Sequence, residues 1–254
     1  MSLFSLADRV AVITGSTRGI GRAIAERMAE AGARVVVSSR KRDACDEVVA
    51  AIEAAHGRGR AIAIPANISS KDELRNLVDE TTKRLGRIDV LVCNAASNPY
   101  YGPMAGLDDA AFRKILENNV LSNHWLIQFA APQMVARRDG SIVIVSSIGG
   151  LRGSEVLGAY CVSKAADLQL ARNLALEYGP HGVRVNCIAP ETIMTERNQR
   201  QIPDEVKEQL RLAHPIRRLG VPDDVARAAL FLASGQSAWV SGITLDVAGG
   251  SVLA

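Results

Sequence analysis

Short runs of apolar and β-branched residues alternate along this chain with longer stretches of helical period. The short runs are Val10–Thr14, Arg34–Ser39, Arg60–Pro65, Ile88–Cys93, Ser141–Ser146, Arg184–Ala189 and Ile243–Asp246. Runs such as Val10-Ala11-Val12-Ile13 have no polar face, so they predict strands buried on both sides. Between them, Gly19–Ala31 carries Ile20, Ala23, Ile24, Arg27 and Met28 on one helical face. Lys71–Leu85 follows Ser70 with Glu73 three positions on, which reads as a capping box. Further helices are predicted at Asp108–Val135, Leu157–Tyr178 and Asp223–Ala233. Strands alternating with helices mean right-handed βαβ units. The expected fold is α/β: a doubly wound Rossmann sheet of seven parallel strands with helices on both faces. No linker or repeat interrupts residues 1–254, so a single dinucleotide-binding domain is expected. The least regular stretches, Ala95–Leu107, Ile148–Val156 and Pro190–Pro215, all follow strands, where open α/β sheets bind ligands. Residues 190–215 are expected to act as a substrate lid within the domain.

Composition narrows the classes. Hydrophobic residues at 48% and charged residues at 22% fit a globular chain. The net charge of +3 contains no basic block, so no nucleic-acid partner is expected. No stretch reads as membrane-spanning, and the N-terminus lacks the features of a signal peptide. The C-terminal Ser251-Val252-Leu253-Ala254 is not a peroxisomal or prenylation address. Cys45, Cys93, Cys161 and Cys187 are widely spaced, which argues against a disulfide framework or zinc site and for a reducing compartment. His56, His124, His181 and His214 have no ligand spacing, so no metal site is expected. A cytoplasmic location is the corresponding expectation.

The first strand runs directly into Thr14-Gly15-Ser16-Thr17-Arg18-Gly19-Ile20-Gly21 and then a helix. This G-x-x-x-G-x-G spacing is a variant of the dinucleotide fingerprint. Gly15 permits a tight turn, Gly19 a close approach to pyrophosphate, and Gly21 close packing of helix on strand. The helix start offers free N–H groups and a positive dipole end to phosphate. The second strand ends in Ser38-Ser39-Arg40-Lys41, without the acid that accepts from a ribose 2′-hydroxyl in NAD-preferring domains. Ser39, Arg40 and the nearby Arg18 suit a 2′-phosphate instead, so NADP(H) is the expected cofactor.

Tyr160 and Lys164 stand at i and i+4, on one face of a predicted helix. Ser146-Ser147 ends the preceding strand, and Asn119 lies in the long helix before that. Glycine loop, Asn94-Ala95-Ala96, Asn119, Ser147, Tyr160 and Lys164 follow in one order. In that order the chain resembles the short-chain dehydrogenase/reductase family. The resemblance extends from Val10 to Gly250 and includes Arg184–Pro190, Arg218–Ala226 and Gly242–Gly250. The run Cys93–Gly102 looks most like the NADPH-dependent carbonyl reductase branch, and is also similar to 3-oxoacyl-carrier-protein reductases.

The resemblance implies hydride transfer between a nicotinamide cofactor and a small carbonyl or alcohol. Tyr160 would give or take the proton. A free tyrosine is a poor base at neutral pH, and a lysine ammonium beside an oxidised nicotinamide favours phenolate. Lys164 would also hold the nicotinamide ribose. Ser147 would orient the substrate oxygen, and Asn119 would hold a relay water, with Asn118 as the alternative. Cofactor contacts are implied at Gly15, Thr17, Arg18, Gly19, Ile20, Gly21, Ser39, Arg40, Asn67, Ile68, Asn94, Ala95, Ala96, Tyr160, Lys164, Pro190, Ile193 and Thr195. A homotetramer, built through the two long helices and the last strand, is implied likewise. A carrier-protein substrate is the alternative, with Arg137 and Arg138 as possible contacts; their other reading is ordinary helix C-terminal charge. A non-catalytic dinucleotide-binding scaffold is a third reading, disfavoured because all four catalytic positions are filled. Aliphatic Leu151, Val156, Ile193 and Met194 suggest an apolar substrate.

Three departures from the family pattern stand out. Ala96 replaces a common glycine, Asn67 a common aspartate, and Pro190-Glu191 the usual Pro-Gly. Glu191 either tunes substrate choice or faces solvent.

Overall fold

The computed structural model describes residues 3–252. The terminal readings that involve Met1, Ser2, Leu253 and Ala254 lie outside the described residues. Seven strands form one sheet in the order β3-β2-β1-β4-β5-β6-β7, with every pairing parallel. They are β1 (Val10–Thr14), β2 (Arg34–Ser38), β3 (Ala61–Ala63), β4 (Val90–Cys93), β5 (Gly140–Val145), β6 (Val183–Pro190) and β7 (Thr244–Val247). The expected doubly wound sheet is therefore present. Strand order reverses between β1 and β4, which opens a crevice at their carboxyl ends.

Side-chain alternation divides the core in two. Ala11, Ile13, Val35, Val37, Val90 and Val92 pack under α1 (Gly19–Glu30), α2 (Arg42–His56) and α9 (Pro222–Ala233). Val10, Val12, Val36, Leu91 and Cys93 pack under α3 (Lys71–Leu85), α5 (Ser122–Arg137) and α6 (Gly158–Tyr178). The strand runs look uniformly apolar because both faces are covered. Each fully buried Ile or Leu in these layers contributes about 1.5–3 kcal/mol. The Arg27 guanidinium of α1 lies 2.5 Å from the Asp223 carboxylate and ties that helix to α9. All four cysteines are free and buried.

Several elements differ from the sequence expectation. Helix α2 has no counterpart in it. Its buried stripe is only Cys45, Val48 and Ile52, narrow enough to pass as a connection. The irregular reading of Pro190–Pro215 gives way to two short helices, α7 (Glu196–Gln201) and α8 (Asp204–Ala213), neither of which contains a buried residue. The long helix predicted over Asp108–Val135 is α4 (Asp109–Leu116) and α5 joined by a π-helical turn, Glu117–Leu121. Such turns insert a residue and re-aim side chains, and they concentrate at functional sites. The capping box is half formed. Ser70 Oγ accepts from Glu73 N at 3.2 Å, but the Glu73 carboxylate reaches Asn67 N instead of Ser70 N.

Candidate active site

The chain leaves β1 through Gly15 and Gly19, both in the left-handed region with φ of +66° and +55°. Helix α1 then starts with no side-chain cap and no acid in its first turn. Helices α3, α4 and α7 are capped by Ser70, Asp108 and Thr195 respectively. The α1 start therefore keeps free N–H groups for an anion. Gly21 is fixed by packing, since a Cβ there would stand 2.4 Å from the Gly15 carbonyl oxygen. Thr14 Oγ1 accepts from Asn94 N and Ala95 N, both at 3.1 Å, and Asn94 Nδ2 donates to Thr14 O at 2.8 Å. Asn94 thus clamps the two loops that flank the crevice.

These loops line a cavity of about 550 Å³. Gly15, Thr17, Arg18, Gly19, Ile20, Gly21, Ser39, Arg40, Asn67, Ile68, Asn94, Ala95, Ala96 and Thr195 all border it. Arg22 and Arg42 are paired with Glu26 and Asp46. Exposed Arg18 and Arg40 have no such partner among the described residues and stand open to a ligand. A second cavity of about 770 Å³ adjoins it, sharing Ile20, Asn94, Ala96, Ser97, Thr195 and Arg197. Ser147, Tyr160, Lys164, Pro190 and Ile193 line this second space. Of the four aliphatic residues expected around the substrate, only Ile193 lines it. Leu151 and Val156 are exposed and Met194 is buried elsewhere, while Tyr101, Ile148 and Leu157 supply the apolar wall.

Tyr160 and Lys164 project from the first turns of α6, and Ser147 follows β5. Lys164 Nζ lies 5.7 Å from the centre of the Tyr160 ring. Gly149 lies against both groups: its N–H donates to Ser147 Oγ at 3.0 Å, and a Cβ there would stand 3.9 Å from the Tyr160 ring. Lys164 is only 2% exposed. Its ammonium donates to Val145 O at 2.9 Å and to Asp167 Oδ2 at 3.0 Å. Burial pushes Lys164 down, but Asp167, together with Tyr160 and Cys187, more than offsets this and leaves it above the ordinary lysine value. Burial pushes the Asp167 carboxyl above the ordinary carboxylate value, and Lys164 and Asn123 offset only part of this.

Asn119 sits in the π-helical turn, fully buried, and borders neither cavity. Its Oδ1 accepts from Ser97 N at 2.8 Å, and its Nδ2 donates to Ser97 O and Ser163 Oγ at 3.0 Å each. Asn118, the alternative, lines the first cavity and bonds Ser69 and Ser97. Asn119 connects to Lys164 through its main chain. Asn123 Nδ2 donates to Asn119 O at 2.7 Å and to Asp167 Oδ1 at 3.0 Å. Asn123 and Asp167 are absent from the sequence reading. The signal for Asp167 was a polar stripe, Tyr160, Ser163, Lys164 and Asp167, on one face of its helix; Asn123 gave none.

Glu191 does not face solvent. Its side chain is 10% exposed, lies 3.0 Å from the Arg152 guanidinium, and accepts from Ser251 Oγ at 2.6 Å. It joins the loop after β5 to the C-terminal segment beside the larger cavity. Arg137 and Arg138 are engaged within the chain. Arg137 donates to Ile88 O at 2.5 Å and Arg138 to Pro180 O at 3.0 Å, which favours the helix-terminal reading over a docking surface. Among the described residues, no group of three or more His, Cys, Asp or Glu could hold a metal, and no helix is long and apolar enough to cross a membrane.

Comparison with known proteins agrees with this geometry. The family model described as enoyl-(acyl carrier protein) reductase matches residues 15–251. Mouse dehydrogenase/reductase SDR family member 4 is 39% identical over 248 residues, covering 97% of this chain and 88% of the mouse protein. The 7alpha-hydroxysteroid dehydrogenase of Escherichia coli K12 is 40% identical over 250 residues, covering 97% and 95%. A solved 7 alpha-hydroxysteroid dehydrogenase, complexed with NADH and 7-oxo glycochenodeoxycholic acid, superimposes with a TM-score of 0.93 over 98% of this chain and 96% of that one, at 40% identity. A putative gluconate dehydrogenase from Agrobacterium tumefaciens gives 0.94 over both whole chains at 29% identity. With a family model matched over most of its length and relatives at this identity, the chain belongs to the short-chain dehydrogenase/reductase family and is an oxidoreductase of that type.

Proposed function

We propose that this enzyme transfers a hydride between a nicotinamide dinucleotide and an alcohol or carbonyl substrate, with NADP(H) as the preferred cofactor. The observation that carries the reading is the junction of the two cavities, where Tyr160, Ser147 and Lys164 meet the wall shared with the glycine loop. The uncapped start of α1 and the left-handed turn through Gly15 and Gly19 fit a dinucleotide pyrophosphate. When bound, the nicotinamide ring supplies or accepts the hydride.

The chain's own groups handle the proton and the geometry. Tyr160 Oη donates a proton to the nascent alkoxide in reduction and accepts it in oxidation. Ser147 Oγ donates to the substrate oxygen and fixes its direction. Lys164 holds positive charge beside Tyr160 and binds the cofactor ribose. Asn119 supports Lys164 through Asn123 and Asp167. Residues 190–215 close over the substrate as a lid within a single domain. The exposed Leu121, Val162 and Leu176 on and beside α5 and α6 suit burial in a homotetramer. The four free, buried cysteines suit a reducing compartment such as the cytoplasm.

Two finer points have separate support. The larger cavity has the volume of a drug-sized ligand site, and its Tyr101, Ile148, Leu157 and Ile193 wall suits a bulky apolar ketone or alcohol of steroid size. A panel of hydroxysteroids, small ketones and acyl-carrier substrates, followed by nicotinamide absorbance, is expected to give its highest kcat/KM on the bulky ring compounds. Equal rates on small polar carbonyls would contradict that substrate class. Selectivity for NADP(H) rests on Ser39, Arg40 and Arg18, although the solved relative carries NADH. Replacing Arg40→Asp exchanges a charge-assisted hydrogen bond for repulsion, so the ratio of kcat/KM for NADPH over NADH should fall about 10- to 100-fold. An unchanged ratio would remove the cofactor assignment.

A further inference from the structure

We propose that Asp167 is a positioning residue for proton transfer, whose carboxylate keeps the buried Lys164 an ammonium and fixes its direction beside Tyr160. This rests on the roles of Tyr160 and Lys164 given above. Lys164 is 2% exposed and Asp167 fully buried. A lysine in such a place, offered only the Val145 carbonyl, would be driven towards the neutral amine. A neutral amine could not hold positive charge beside the proton-transferring phenol.

The geometry supplies what the ammonium lacks. Asp167 Oδ2 lies 3.0 Å from Nζ, and Oδ1 accepts from Asn123 Nδ2 at 3.0 Å. Both oxygens face donors, the arrangement suited to an acceptor-only carboxylate. Asn123 is itself held by the Asn119 carbonyl, so the carboxylate is braced from α5 and its π-helical turn. The other titratable groups that bear on the pair are Tyr160 on the same helix, Cys93 on β4 and Cys187 on β6. Cys187 Sγ donates to the Asp167 carbonyl at 3.4 Å. Burial pushes both thiols up, so neither adds negative charge near neutral pH. Asp167 is therefore the counterion of Lys164.

In the native protein the Lys164 charge persists beyond the ordinary lysine value. In Asp167→Asn the burial penalty is unopposed, and the proton leaves at lower pH. The alkaline limb of kcat/KM for carbonyl reduction should move down by at least about one pH unit, as expected on losing an opposite charge at this range. Activity should return towards the native level at the acid end, and Asp167→Glu should restore the limb in part. A limb that stays in place in a folded Asn variant overturns the proposal. If that variant does not fold, the native enzyme decides. The ¹³Cε resonance of Lys164, assigned by its absence in Lys164→Arg, should titrate with a midpoint above 10.5, and a lower midpoint overturns the proposal. Tyr160→Phe, measured alongside, separates the two readings. Full activity there defeats the proton-transfer assignment, whereas an inactive Tyr160→Phe with an unmoved limb in Asp167→Asn defeats only the role of Asp167.

Discussion

Tyr160→Phe should bind dinucleotide as the native enzyme does and lose turnover by about 10²- to 10⁴-fold, the range for a positioned general acid. The substitution removes one hydroxyl and leaves the ring beside Lys164 on the wall of the larger cavity. The cavity at the glycine loop does not include Tyr160, so most of the cofactor contact is untouched. Hydride delivery to a carbonyl without proton donation leaves an alkoxide, which Ser147 can stabilise but cannot neutralise. Microscopic reversibility requires the loss in both directions. A fluorescence titration of cofactor, paired with kcat for oxidation and reduction, reads the two parts separately. Native turnover would show that the proton comes from elsewhere. A fall in cofactor affinity matching the fall in rate would show that the hydroxyl serves binding.

The sheet was legible from the chain because its strands are apolar on both faces and its crossovers are helical, and each strand expected from the sequence is present. The glycine loop was legible because its geometry is local: Gly15 and Gly19 have positive φ, and Gly21 packs against the turn it follows. What escaped depended on distant partners or on small departures from regular period. Helix α2 buries too narrow a stripe to announce itself. The π-helical turn at Glu117–Leu121 changes the helix by one residue, which periodicity over so long a segment does not register. The sequence left Glu191 open between a role near the substrate and exposure to solvent, because Arg152 and Ser251 lie 39 and 60 residues away. Asp167 was visible in the sequence but not its burial, and only burial turns a carboxylate three residues from a lysine into part of a site.

Lys164→Met should cost about 3–5 kcal/mol of stability, the range for breaking a buried ion pair by removing one partner. It should also abolish most turnover. The stability loss comes from Asp167, which keeps Asn123 but loses the ammonium that offset its desolvation. Those two losses have different origins and can be pulled apart. In Lys164→Met/Asp167→Leu no charge is left buried without a partner, and replacing a whole buried pair by apolar residues is often neutral or stabilising. Denaturant unfolding at one protein concentration should therefore show the double variant regaining most of the lost stability, while its turnover stays as low as that of Lys164→Met. Stability that falls further in the double variant would mean that the pair holds α6 against β5 by more than mutual neutralisation, with the Val145 carbonyl as the remaining contact. Turnover recovered along with stability would mean that Lys164 serves the fold alone, and that the charge beside Tyr160 is dispensable to the chemistry.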